Sequence, residues 1–235
     1  MLKEAIEKIL SLASINTEQV GDQVYSNQDL SLVDEPTVAA LEVRNLTGIV
    51  DYLQNDFDAK LPVIIHVESP TKVSVLTGFN RDLRRNALIR AVALLPDIKF
   101  GSYYDIESFN ILLQSCFVQE PARDQLLKIV GNVKDEKVTN FGDDGTSQSV
   151  TAKVSVATLE TVPLPNPVAL KPFRTFVEIE QPWSSFVFRM KDGPSAALFE
   201  ADGGAWKLFA IDCIKAYFQE ALEERIEAKE VVIIG

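Results

Sequence analysis

The chain holds one histidine, His66, among 235 residues. A lone imidazole cannot build a histidine-based metal cage, and it leaves little material for a Ser-His-Asp triad. Cysteine is nearly as scarce. Cys116 and Cys213 are the two present; they stand far apart in apolar helical surroundings and read as reduced core thiols in a reducing compartment. No disulfide framework is implied. No stretch approaches the ~18 consecutive apolar residues that a membrane span requires, and no membrane partner is expected. The first ten residues, MLKEAIEKIL, carry acids within their apolar periodicity, so no secretory signal is expected there and the expected location is the cytoplasm. Positive charge is also short: Lys and Arg number 23 against 34 Asp and Glu, a formal net charge of −11. Such a field repels phosphate backbones and argues against nonspecific nucleic-acid binding, although a local basic patch can override it.

What is present is an ordinary globular composition, 46% hydrophobic and 24% charged. Leu2, Ile6, Ile9, Leu10 and Ala13 recur at helical spacing and predict an amphipathic helix over 2–14. Val20 and Val24-Tyr25 around Gly21-Asp22 suggest a small hairpin, and a short strand is expected over 37–43. A short helix follows over 46–53, capped by Asn45. Residues 62–68 and 72–79 form the clearest hairpin of the first half, turning at Ser69-Pro70-Thr71. Helices are predicted over 82–95, over 105–117 with Asp105 as its cap, and from Glu120-Pro121 to Gly131.

Beyond residue 131 the character becomes β. Strands are expected over 138–141 and 149–156 across the Gly142-Asp143-Asp144-Gly145 turn, followed by a stiff Pro-rich stretch over 162–167. A meander then occupies 173–200. Its first strand, 173–180, alternates Phe173, Thr175, Val177 and Ile179 against Arg174, Phe176, Glu178 and Glu180; the face of Phe173, Val177 and Ile179 is expected to pack on the terminal helix. That helix runs from Ala205 to about Ala228 with Trp206, Phe209, Ala210, Cys213, Ile214, Tyr217, Ala221 and Leu222 along one side. Val231 to Ile234 are a final strand or an apolar tail. The fold class read from this is α+β, with antiparallel sheet packed against amphipathic helices. Residues 1–130 form a mixed helix and hairpin region and 131–235 the meander with its helix, in one continuous domain.

Candidate chemistry is sparse. His66 and Glu68 share a strand face in an H-x-E arrangement, but the P-C-x-x-C of zinc deaminases is missing, and a histidine satisfied beside the core is the favoured reading. Glu178 and Glu180 on one strand face, with Asp143, Asp144 and Asp202 at turns, are weak candidates for holding Mg²⁺ in phosphodiester hydrolysis. Arg81, Arg84, Arg85 and Arg90 crowd one predicted helix, the first three within one turn of each other. The guanidinium fork suits phosphate, so this cluster is the best hint of a nucleotide or single-stranded nucleic-acid contact; a solvated helical face is the simpler account. Trp183, with Arg174 and Arg189 on neighbouring strands, offers an aromatic and cationic ligand-binding surface, against sheet-edge packing as the plain alternative. Gly203-Gly204 before the last helix lacks the G-x-G-x-x-G or P-loop pattern. No cofactor is expected.

The order of LTGIVDYL (46–53), a central hairpin, DIESFNILLQSCF (105–117), PFRTFVEIEQPWSSFVFRMKDG (172–193) and a closing helix resembles phage and prophage proteins of unknown function, the YfdQ-like group. The resemblance is one of layout over most of the chain. It implies a phage or prophage origin, hence a host-cell cytoplasm, and carries no activity and no site residues. The expectation is a non-enzymatic accessory protein that binds a host, defence-system or phage partner and self-associates, because the apolar ends and the long helix offer surfaces for it.

Overall fold

A computed structural model describes residues 2–13, 15, 17–20, 23–26, 36–55, 58, 61–132, 142–143, 148–153, 159–163, 166–191, 193 and 195–235. The chain divides into two units, Met1–Thr37 and Val38–Gly235. The first holds helix α1 (Leu2–Ala13) and an antiparallel pair, β1 (Thr17–Val20) and β2 (Gln23–Ser26). The predicted apolar stripe of α1 is real, and its Leu2, Ile6 and Ile9 are exposed. Gly21-Asp22, the expected strand over 138–141, Asp144, residues 154–156 and Leu164-Pro165 lie outside the described residues.

The second unit contains β3 (Leu41–Val43), α2 (Thr47–Gln54), β4 (Val63–Ser69), β5 (Lys72–Thr77), β6 (Ala87–Val92), β7 (Tyr104–Asp105), α3 (Ile106–Cys116) and α4 (Pro121–Gly131). There follow β8 (Gly142–Asp143), β9 (Gln148–Lys153), β10 (Leu159–Pro163), β11 (Val168–Leu170), β12 (Ser184–Lys191), β13 (Ser195–Glu200), α5 (Trp206–Ala221), α6 (Glu223–Glu227) and β14 (Val231–Ile234). The α+β class read from the sequence is the observed one. A five-stranded sheet has the order β14-β4-β5-β6-β3, and its two outer pairings, β14 with β4 and β3 with β6, are parallel. A four-stranded antiparallel sheet has the order β11-β12-β13-β7, and β10-β9-β8 form a small third sheet.

Two cores follow. In the first, Val63, Ile65 and Val67 of β4 and Val73 and Val75 of β5 point to one face of the five-stranded sheet, as period-two alternation requires, and meet Ile49 and Leu53 of α2 and Ile214 and Phe218 of α5. In the second, Phe186, Phe188 and Met190 of β12 lie against Phe109 and Leu113 of α3 and Leu126 and Val130 of α4. Phe109 and Phe188 stack with centroids 5.7 Å apart, and Phe117 meets Phe186 edge-on at 6.4 Å, both within the range of favourable aromatic pairs. The elements of the second core fall in sequence between the two halves of the first.

Helix ends obey local chemistry. Asp105 caps α3 as expected, accepting from the Ser108 amide at 2.9 Å. Asn45 accepts from the Gly48 amide at 3.2 Å, and a Cβ at Gly48 would stand 2.8 Å from that same Asn45 oxygen, so the first turn of α2 needs glycine there.

Two expectations are overturned. Residues 82–95 are not a helix: a turn leads into β6, and Leu83, placed on the apolar side of that helix, is exposed with φ +57°. A short run such as ALIRAV fits a buried strand as well as a helical stripe, and β5 and β3 on either side supply the ladder that decides it. Residues 173–180 are not a strand either. Arg174, Thr175 and Phe176 are buried consecutively and Val177 is exposed, which no pleat produces.

The reason is Gln181. Its side-chain oxygen accepts from the amides of Arg174 (3.0 Å) and Thr175 (3.3 Å), and its nitrogen donates to the Phe176 carbonyl (3.0 Å). One buried side chain thus satisfies backbone groups that a ladder would otherwise pair. The segment becomes a strap between the cores. Phe176 enters the first core and Ile179, as expected, packs against it, whereas Val177 stays outside; Thr175 donates to the Pro70 carbonyl at 2.6 Å. Gln181→Leu leaves several buried backbone groups without partners and is expected to cost about 2–4 kcal/mol of unfolding free energy. A chemical-denaturation midpoint unchanged from wild type would contradict this, and Val177→Ser is the exposed control, expected within about 0.5 kcal/mol.

Candidate functional site

The strap ends at Pro182-Trp183 and delivers two side chains to one place. Trp183 is 45% exposed and stands beside Ser184 and Ser185 of β12. Across from them, the turn after β13 carries Asp202, and α5 begins with Trp206 and Phe209. Together with Ala169 and Ala205 these residues line an open pocket of about 290 Å³. Gly203 and Gly204, both at positive φ (62° and 81°), let the chain reverse there.

Beneath the pocket lies Arg174, only 6% exposed. It pairs with Glu200 at 2.5 Å, donates to the Ser184 hydroxyl, and lies 4.1 Å from the Trp206 ring centroid, with Phe100 and Phe186 at 5.8 and 5.6 Å. Its Nε has no hydrogen-bond partner. Burial pulls the guanidinium pKa down while Glu200 pulls it back up; arginine stays charged in either case. Ser184 passes the contact on by donating to one Asp202 oxygen, while the other accepts from the Gly204 amide at 3.0 Å. Burial would raise the Asp202 pKa, but the Ser184 and Gly204 hydrogen bonds and the Arg174 charge outweigh it, and the pKa lies below the ordinary value of 3.8. Trp183 has its own cation: Lys171 Nζ lies 4.6 Å from its ring and is held by Glu180 at 2.7 Å and Glu120 at 3.5 Å.

The residues proposed from sequence are therefore partly gathered and partly dispersed. Arg174 and Trp183 meet at this pocket. Arg189 lies further along β12 and does not line it. Arg81, Arg84 and Arg85 occupy the turn between β5 and β6 and share no helix face; Arg81 pairs with Asp82 at 3.1 Å, and Arg85 lies 4.0 Å over Phe79 while donating to the Thr77 carbonyl at 3.0 Å. Glu178 and Glu180 share no strand face. Glu178 accepts from the amides of Leu46 (2.6 Å) and Thr47 (3.2 Å) at the start of α2, and Glu180 binds Lys171. Each carboxylate has a separate structural partner. Among the described residues no group of three or more His, Cys, Asp or Glu side chains could hold a metal ion. His66 is half-buried on β4, and Glu68 beside it binds Lys72 at 2.6 Å and the Ser74 hydroxyl.

Sequence reasoning assigned Trp206 and Phe209 to the inward stripe of the last helix. In the structure Ala210, Ile214 and Phe218 form that stripe, Phe209 is 47% exposed, and Trp206 turns to the pocket. The chain has two tryptophans, and both line the same cavity. Comparison with protein-family models, curated proteins and solved structures found no match to this chain. No helix among the described residues is long and apolar enough to cross a membrane.

The depressed Asp202 pKa has a defined consequence for stability. A carboxyl whose folded-state pKa is lowered contributes stability that is full above its unfolded value and is lost as pH falls through the folded value. The stability difference between wild type and Asp202→Asn is therefore expected to be constant from neutral pH down to about the ordinary aspartate value and to shrink below it. Urea unfolding across that range tests this; a difference that grows on acidification would contradict the assignment.

Proposed function

We propose that this protein works by binding, and that its ligand or partner seats in the pocket between Trp183, Trp206 and Phe209. One observation carries the reading: both tryptophans of the chain line a single open cavity whose wall also bears an ionised aspartate, and they do so without being needed as core. Apolar walls with a few placed polar groups are what small-molecule and anchor-residue sites share. The resemblance in layout to phage proteins adds the proposal that the binder is a phage-type accessory protein acting in the host cytoplasm on a host, defence-system or phage component. Catalysis is not part of the proposal, since Glu178 and Glu180 are committed to a helix start and an ion pair. A nucleotide site on the Arg81, Arg84 and Arg85 turn is not favoured, since Arg81 and Arg85 are engaged within that turn.

Intrinsic fluorescence reads the site directly, because every tryptophan in the chain belongs to it. A fragment screen by ligand-observed NMR, with fluorescence as the second readout, is expected to give hits that perturb both tryptophans and disappear in Trp183→Ala. If no fragment shows that dependence, the pocket is not a binding site.

Self-association is proposed through β14. It is an outermost strand of its sheet, and Val232 and Ile234 are 51% and 44% exposed, the kind of edge that pairs with another chain. Sedimentation is expected to show a dimer that Val232→Lys dissociates; a strict monomer over a wide concentration range would remove the claim.

A further inference from the structure

The pocket's electrostatics narrow what it can hold, on the reading that it is a binding site. An aromatic ring has a negative face, and an open cage of such faces ordinarily receives a cation. Here both indoles already have such a neighbour, and Trp206 has a second in Lys207, whose Nζ lies 5.9 Å from its ring centroid. Lys171 and Arg174, with side chains 12% and 8% exposed, lie against Trp183 and Trp206 and are not themselves part of the pocket lining. Cations already seated against the rings draw π density toward themselves, which leaves the indoles poor receptors for a further cation and still able to stack on a neutral planar ring. The apolar character of Trp183, Trp206, Phe209 and Ala169 favours the same occupant.

Asp202 supplies the direction. A carboxylate has about four lone-pair positions, and Ser184 and the Gly204 amide use one on each oxygen, so each oxygen retains acceptor capacity. Two adjacent acceptors match two adjacent N–H donors. Size sets the scale: about 290 Å³ is at the lower limit of ligand pockets and suits one fused ring system rather than a dinucleotide. The net charge of −11 disfavours a polynucleotide as the source of that ring.

We propose that the pocket takes a neutral planar heteroaromatic ring with a paired N–H edge, a guanine-type nucleobase or nucleoside, stacked on Trp183 and Trp206 with its N–H groups on Asp202. Calorimetry with the full chain and guanosine, 1-methylguanosine, choline and a short oligodeoxyguanylate tests this. Guanosine is expected to bind, 1-methylguanosine at least tenfold more weakly because one donor is blocked, and choline not at all. Trp183→Ala is expected to abolish guanosine binding and Asp202→Asn to weaken it about tenfold. Because Asp202 also contacts Ser184 and Gly204, Phe209→Ala, at an exposed position, serves as the variant that leaves the fold intact and still weakens binding. Equal affinity for 1-methylguanosine, a preference for choline, or tighter binding of the oligonucleotide than of guanosine would overturn the proposal. If guanosine fails while tryptophan-dependent fragments still bind, the ligand class is wrong and the pocket stands; if neither binds, both readings fall.

Discussion

The side-chain amide of Gln181 is the constraint on which much of the second unit depends. By closing hydrogen bonds to the backbone of Arg174, Thr175 and Phe176, it makes a buried, non-repetitive segment affordable in a place where water cannot serve those groups. The positions of its neighbours follow. Phe176 enters one core, Arg174 reaches the aromatic residues of the other, Glu178 meets the start of α2, and Lys171 with Glu180 flanks Trp183. A change at this one amide would therefore be felt in both cores and at the pocket together.

Arg174 links that scaffold to the candidate site. It is buried against three aromatic rings, paired with Glu200 and joined through Ser184 to Asp202, so the acid on the pocket wall is oriented from below by a charge that has little access to solvent. In such surroundings the contacts are stronger than at a wet surface, and the cost of losing one is correspondingly higher. The pocket wall is rigid in this sense: Asp202 is fixed by Ser184 and Gly204.

Much of the fold was readable from residue pattern. The 62–79 hairpin, the Asp105 cap, the helix after Pro121 and the long last helix each have a local cause, and each appears where that cause is. The failures share a different origin. ALIRAV became a strand because strands on both sides were available, and FRTFVEIE lost its alternation to a glutamine side chain seven residues from Arg174; both are decided by tertiary neighbours. The site divided in the same way. Arg174 and Trp183 were recognisable as an aromatic and cationic pair, whereas Trp206 and Phe209 matched the helical stripe and were assigned inward. The scarcity of tryptophan, with each copy beside a proline or glycine turn, was the available signal.

The pairing of β14 with β4 also bears on how the chain is made. Val63 aligns with Val231 across most of the sequence, and the first core is complete only when α5 and β14 return to it. The second core, whose helices and strands fall between those halves, needs nothing beyond β13. During synthesis the inner core can therefore close on the nascent chain while β4 and β5 still expose the apolar face that α5 will cover. That host sheet, dominated by long-range contacts, should form late and slowly, and it is the part of the molecule most in need of protection before the chain is finished.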